Sequence, residues 1–152
     1  DAHMRVGTKP AAWRERALAA RLRRQKILDS DGAPELVALI TEASLLYRWG
    51  SQADRRAQVS QLVEMASRAN IEVRLLRFAD GPHPGMSSLI SIFDFPGDEP
   101  SLAYLQNDVA VEEVTQANDV DSYVATFAQI RAAALDAPAT MTQLKKLAET
   151  LE

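Results

Sequence analysis

Hydrophobic positions along the chain switch between helical and strand periods, and the switches predict its elements. Residues 11–28, AAWRERALAARLRRQKIL, hold no glycine or proline and follow Pro10 at a permitted entry position, so they predict a helix. Leu18, Leu22 and Gln25 share one face of it, with Arg21 and Leu28 at the edge. The string Asp29-Ser30-Asp31-Gly32-Ala33-Pro34 punctuates the chain as a loop. Leu36-Val37-Ala38-Leu39-Ile40 is a continuous apolar run, the pattern of a strand buried on both faces. A short helical turn over residues 41–46, ending near Gly50, follows it. Residues 52–69 predict a helix with Val59, Leu62, Val63 and Ala66 as its buried seam, Arg55, Arg56 and Arg68 toward solvent, and Asn70 as the stop.

Ile71-Glu72-Val73-Arg74-Leu75-Leu76 largely alternates and reads as a strand. Strand, helix and strand in this order predict a βαβ unit. Residues 79–87, with two prolines and two glycines, form a loop. Residues 89–95 and 102–105 read as strands of an antiparallel hairpin, and residues 109–114 as a weaker strand. Asn118 and Asp121 resemble a capping pair for a helix carrying Val120, Tyr123, Val124, Phe127, Arg131 and Leu135 on one side. Arg131 stands there where burial favours an aliphatic residue, either as a paired interior cation or with its stem laid along the seam. Pro138 opens a last helix whose Met141, Leu144, Ala148 and Leu151 step by three and four, a seam that packs on the body or on a second copy. The fold class is α+β: a small mixed sheet with one βαβ unit and a hairpin, flanked by helices, with two C-terminal helices. Residues 1–4 read as an expression remnant, 5–28 as a basic connector helix and 29–152 as one regulatory domain.

At 152 residues and 47% hydrophobic content the chain can build a core, and no apolar run approaches a membrane span. The absence of cysteine removes disulfides and thiolate chemistry, and makes the cytoplasm the expected location. His3 lies in Asp1-Ala2-His3-Met4, so His83 is the one native histidine expected. The net charge of −4 conceals a gradient. Residues 1–28 hold eight Lys/Arg against Asp1 and Glu15, whereas residues 98–152 hold ten Asp/Glu against Arg131, Lys145 and Lys146. Such a basic leading segment is either a nucleic-acid contact or a solvated helix.

No phosphate-cradling glycine motif and no G-x-S-x-G elbow occurs. One histidine without cysteine is too little for a zinc site, so no metal and no cofactor is expected. His83, held between Pro82 and Pro84, is either a ligand or partner contact after a strand or a plain residue of a stiff loop. Glu42 follows the most apolar strand. It is either a carboxylate on the same rim, pairing with Arg77 or Arg74, or a first-turn glutamate favoured by the helix dipole. Trp13 and Trp49 read as packing anchors, since basic residues are not interleaved with aromatics as in single-strand nucleic-acid grooves.

Taken in order, several short pieces resemble a known family. They are Arg21-Leu22-Arg23-Arg24-Gln25 with Leu28, Glu42-Ala43-Ser44-Leu45 with Gly50, Gln61-Leu62 and Val73-Arg74-Leu75-Leu76. They continue through Gly81-Pro82-His83, Phe95-Pro96, Tyr104-Leu105 and the Arg131-Ala132-Ala133-Ala134-Leu135 run. The chain resembles the domain of unknown function that lies C-terminal to the helix-turn-helix of actinobacterial XRE-type regulators, the antitoxin-like transcriptional regulators. Three positions depart from that pattern: Arg77 replaces a proline, Gln106 a glutamate and Ile90 an aromatic. The resemblance implies a non-catalytic domain that receives a signal, from a small molecule or a small partner protein, for an attached or partner DNA-binding unit. Residues 4–9 are too few for a helix-turn-helix, so the DNA-reading unit is expected upstream or on another chain. The contact candidates are Glu42, Arg77, His83, Tyr104 and Gln106, with Arg21, Arg24 and Gln25 on the connector helix. The other class of reading is a stand-alone small-molecule-binding protein or cofactor-free enzyme using the same rim. Direct DNA binding by the connector helix is the weakest of the readings and is not expected of this chain. Self-association as a homodimer is expected from the Met141-Leu144-Ala148-Leu151 seam.

Overall fold

The alanine- and arginine-rich leader forms helix α1, Ala11–Gln25, which tightens into a 3-10 turn over Lys26–Asp29. In this computed structural model residues 10–84, 89–107 and 110–151 are described. Residues 1–4, expected to be an expression remnant, residues 5–9 of the expected connector, residues 85–87 of the predicted loop and Val109 lie outside them. The remaining elements are β1 (Leu36–Thr41), α2 (Glu42–Leu46), α3 (Gln52–Met65) and β2 (Ile71–Leu76). After a 3-10 turn at Phe78–Asp80 come β3 (Leu89–Phe93), β4 (Leu102–Gln106), β5 (Val111–Val114), α4 (Ala117–Ala133) and α5 (Ala137–Thr150). This is the mixed α/β fold expected, with a βαβ-like segment, a hairpin and two C-terminal helices. The chain divides into two compact units, Asp1–Arg74 with Asp136–Glu152, and Leu75–Leu135.

In the first unit β1 and β2 are neighbours in a two-stranded sheet. The Leu36 amide donates to the Asn70 carbonyl at 2.9 Å, so the two strands begin side by side. The Asn70 side-chain amide donates to the carbonyls of Leu28 and Pro34, tying the preceding loop to the same point. β1 is less buried than its apolar run implies. Leu36 is exposed and Val37 through Thr41 are half-buried. By contrast Ile71, Val73, Leu75 and Leu76 of β2 are buried.

Helix α3 is set by a capping box that the hydrophobic pattern does not reveal. The Ser51 hydroxyl accepts from the Asp54 amide, and the Asp54 carboxylate accepts from the Ser51 amide. Gly50 precedes it at φ +59°, where an added Cβ would lie 2.9 Å from Asp54 Oδ2. Val59 is buried, and α3 packs along α5, in which Thr140 and Leu144 are fully enclosed. The predicted seam of the last helix therefore meets the body. The arginines expected at solvent serve structure instead. Arg55 donates to the carbonyls of Trp49 and Gly50, Arg56 donates to the Leu151 carbonyl beyond α5, and Arg68 pairs with Asp29. A cation suits the Leu151 carbonyl in particular, since the last carbonyls of a helix have no helical partner.

In the second unit β3, β4 and β5 form an antiparallel sheet with β4 in the middle. Helix α4 begins earlier than the Asn118–Asp121 pair implied. Gln116 is its N-cap, and Asn118 lies inside, its carbonyl accepting from the Ser122 hydroxyl. Its buried residues are Val120 and Ile130, with Tyr123 and Phe127 half-buried, a track of three-and-four steps. Val124 and Arg131, placed on that seam by the sequence reading, are exposed. The helix ends before Leu135, whose amide donates to the Leu75 carbonyl at 2.9 Å. Asp136 at once caps α5, accepting from the Ala139 amide.

Two substitutions test this account by urea unfolding. Leu144→Ala leaves a void in a closed site and is expected to cost roughly 2–5 kcal/mol. Gly50→Ala forces a side chain into left-handed backbone against Asp54, with an expected cost of roughly 1–3 kcal/mol. Unfolding midpoints at the wild-type value would contradict both placements.

Candidate functional site

The antiparallel register sorts the residues of the three-stranded sheet onto two faces. Ile92, Ala103, Leu105 and Val114 point one way and meet Val120 and Tyr123 of α4, with Ala103 wholly buried. Tyr104, Gln106 and Glu113 point the other way, together with Leu89, Phe93 and Val111. That outer face is left open: Leu89 is 61% exposed, Val111 63% and Phe93 46%. On that face Gln106 stands between Leu89 and Val111 across the strands, and Ser91 between Leu89 and Phe93 along β3, so exposed apolar and polar side chains alternate.

Tyr104 is the polar centre of the open face. Its phenol donates to Glu113 Oε2 at 2.9 Å across the strand pair, and its ring takes the Phe93 ring edge-on at 5.8 Å and 85°. The hydrogen bond to the Glu113 carboxylate, with some burial and the repulsion of a second negative charge, raises the Tyr104 pKa above its ordinary value. Glu113 also lines a shallow cleft of about 360 Å³ along β5 and the start of α4, together with Glu112, Asp119, Ser122 and Tyr123. The cleft lies where the edge strand β5 passes into α4, and the register puts Glu112 on the α4 side of the sheet and Glu113 on the open side.

The other candidates fall elsewhere. Arg77 ends β2, and its guanidinium holds Asp80 at 2.6 Å while its amide donates to the same carboxylate at 2.9 Å. Those bonds hold the Asp80 carboxyl below its ordinary pKa. Arg74 pairs with Glu72. His83 is half-buried, with Nδ1 2.8 Å from the Pro84 carbonyl, a hydrogen bond when Nδ1 carries the proton. Gln106 shares the open face with Tyr104, two residues along the same strand. Glu42 is the first residue of α2, half-buried, and belongs to the first unit, whereas Arg77, His83, Tyr104 and Gln106 belong to the second. On α1, Arg21 is half-buried and Arg24 and Gln25 are exposed.

Glu113, Glu112, Asp119 and Asp80 were not among the residues picked from the sequence. Asp80 stands three residues after Arg77, a spacing that fits a turn cap. Glu113 becomes visible only once the register pairs it with Tyr104. Among the described residues no group of three or more His, Cys, Asp and Glu is placed to hold a metal ion, and no helix is long and apolar enough to cross a membrane.

These elements define a mixed α/β chain of two units, one of which presents an open sheet face. Residues 2–146 match the family described as Domain of unknown function (DUF5753), and the chain belongs to that family. No curated protein and no solved structure matches the chain.

The raised Tyr104 pKa carries a sign. Its bond to Glu113 contributes fully below the ordinary phenol range and is lost as pH rises through the raised value. Glu113→Gln is expected to lower the Tyr104 midpoint. Tyrosinate absorbance, read as the difference from Tyr104→Phe, checks this, and an unmoved midpoint would contradict the bond. Asp80 behaves oppositely: its bonds to Arg77 contribute above the ordinary carboxylate pKa and are lost as pH falls through the lowered value. Arg77→Ala should therefore raise the Asp80 midpoint in a carbon-detected NMR titration.

Proposed function

We propose that this chain is the non-catalytic signal-sensing and protein-interaction domain of an XRE-type bacterial transcriptional regulator, acting for a DNA-binding helix-turn-helix. The observation that carries the reading is the open apolar face of the three-stranded sheet, with Tyr104 and Glu113 at its centre. A surface of that kind gains by covering apolar area, which suits recognition of a partner. The family match supports the same reading through the resemblance to the domains that follow helix-turn-helix units in actinobacterial antitoxin-like regulators. In this proposal residues 5–28 are the basic connector to the DNA-reading part and residues 29–152 the regulatory body. Arg21, Arg24 and Gln25 contact the connector's neighbour. Glu42, Arg77, His83, Tyr104 and Gln106 contact a small partner protein or ligand. The setting is cytoplasmic, with no cofactor.

A second reading, a stand-alone small-molecule-binding protein or cofactor-free enzyme, is favoured by the cleft of about 360 Å³ beside Glu113, a volume within the range of ligand pockets. Its openness and its run of carboxylates make it the lesser reading.

The deciding experiment is to read the genomic DNA immediately upstream of the codon for Met4. An open frame encoding a helix-turn-helix is the expected result. A stop codon followed by a ribosome-binding site would overturn the attached-unit form of the proposal. A metabolite turnover abolished by Glu42→Ala or His83→Ala would overturn its non-catalytic part.

A further inference from the structure

The last strand of the three-stranded sheet, β5, carries backbone groups that the sheet does not use. The Asn107 amide donates to the Ala110 carbonyl at 3.1 Å, which sets the phase of the β4–β5 ladder. Opposed residues of an antiparallel pair alternate between bonded and unbonded. Glu112 and Val114 therefore bond to β4, while Val111 and Glu113 turn their N–H and C=O groups outward. Among the described residues nothing bonds to those outward groups. Beside them lies the cleft of about 360 Å³, lined by Glu112, Glu113, Asp119, Ser122 and Tyr123. Glu112, Glu113 and Asp119 make no ion pair among the described residues. The unit that holds them, Leu75–Leu135, has nine Asp/Glu against Arg77 and Arg131, a net charge of −7.

We propose that β5 receives an extended segment of another protein as a fourth strand, and that this segment carries two adjacent cations. An edge strand is a template for a further strand. Main-chain bonds to Val111 and Glu113 supply the attachment, and alternate side chains supply the recognition. In the added strand the residue opposite Glu112 points to the α4 side, into the cleft with Glu112 and Asp119. The next residue, opposite Glu113, points to the open face. There Glu113 gives Oε2 to the Tyr104 phenol and keeps Oε1 for a cation. Neighbouring lysines or arginines thus meet carboxylates on both faces through charge-assisted hydrogen bonds. The same charges select against other occupants. Pairing β5 with β5 of a second copy, so that Val111 meets Glu113, sets Glu112 opposite Glu112, and like charges directly opposite destabilise. A nucleic-acid backbone meets carboxylates here and is repelled. The inference rests on the protein-interaction part of the proposed function and names the place and chemistry of the partner. Binding at this edge and an upstream helix-turn-helix frame are separate observations, so each fails independently of the other.

Calorimetric titration of the full chain at roughly 50 mM salt, where charge pairs are least screened, tests it. The probe is a short synthetic peptide of valine and threonine with a central Lys-Lys pair. It is expected to bind with a Kd under about 1 mM. In hydrogen exchange it should add protection to the amides of Val111 and Glu113 and leave those of Glu112 and Val114, already in the ladder, unchanged. A peptide with Glu-Glu in place of Lys-Lys should not bind. Methylating the backbone nitrogens that face β5 keeps the charges and removes the strand bonds, and should weaken binding at least about tenfold. Glu112→Gln with Asp119→Asn should weaken it by a similar factor. So should Val111→Pro, which deletes an outward N–H at a position where an edge strand tolerates proline. Circular dichroism matching the wild type confirms that the variants fold, and the methylated peptide needs no variant. Failure of the Lys-Lys peptide to bind at millimolar concentration overturns the proposal. Equal binding of the methylated peptide, or of spermine, would show a site for cations alone and overturn it, as would protection that falls away from β5.

Discussion

The hydrogen bond from the Leu135 amide to the Leu75 carbonyl is the constraint on which the second unit depends. The chain enters that unit at Leu75 and leaves it at Leu135, so about sixty residues are inserted into the sequence of the first unit. An insertion of this kind is tolerated only if its two ends lie close together, and this backbone bond is what holds them. The residues around it are matched to the task. Leu75 and Leu76 are buried. Ala134 leaves helical geometry, and Asp136 starts α5 without delay by capping it through the Ala139 amide. The same few residues thus end one unit, tie its neck and restart the other.

Within the inserted unit the sheet is covered on one side alone, and its composition follows that asymmetry. Toward α4 it carries Ile92, Ala103, Leu105 and Val114, a small central alanine with branched or long neighbours, which lets Val120 and Tyr123 pack close. Toward the open side it carries alternating apolar and polar residues, with Tyr104 held upright between Phe93 and Glu113. The edge-on ring contact and the cross-strand hydrogen bond fix both ends of the phenol. The open face is therefore an ordered surface.

Much of this was readable from periodicity, and what was missed has identifiable causes. Long, strongly periodic segments such as α3 and α5, and the alternation of β2, survive without tertiary information. The burial of β1 does not, because a continuous apolar run implies two fully covered faces, whereas Leu36 is exposed and Val37 through Thr41 are half-buried. On α4 the alanine-rich sequence offers two nearly equivalent tracks. The sequence reading spans both: its Val120, Tyr123 and Phe127 lie on the covered track, which continues to Ile130, while Val124 and Arg131 are exposed. The capping box at Ser51 was present as a serine with an aspartate three residues on, yet the helix start was assigned without it. The Tyr104–Glu113 bond lies beyond any local pattern. It depends on the pairing register, which the turn after Gln106 sets through the bond between the Asn107 side chain and the Ala110 amide.

The polar groups with shifted pKa values bear on what kind of surface this is. Asp80 and Tyr104 are each held by one nearby partner, Arg77 and Glu113, and each shift favours the protonation state in which that hydrogen bond is made. Groups tuned for proton transfer show the opposite arrangement, with a pKa moved toward the working pH and a geometry that leaves one valence for the substrate. Here Asp80 moves further toward the ionised form and Tyr104 further toward the neutral form, both away from neutrality. The Arg77 bonds therefore favour the ionised Asp80 carboxylate in the turn after β2, and the Glu113 bond favours the neutral Tyr104 phenol on the open sheet face, so each group serves to fix local geometry.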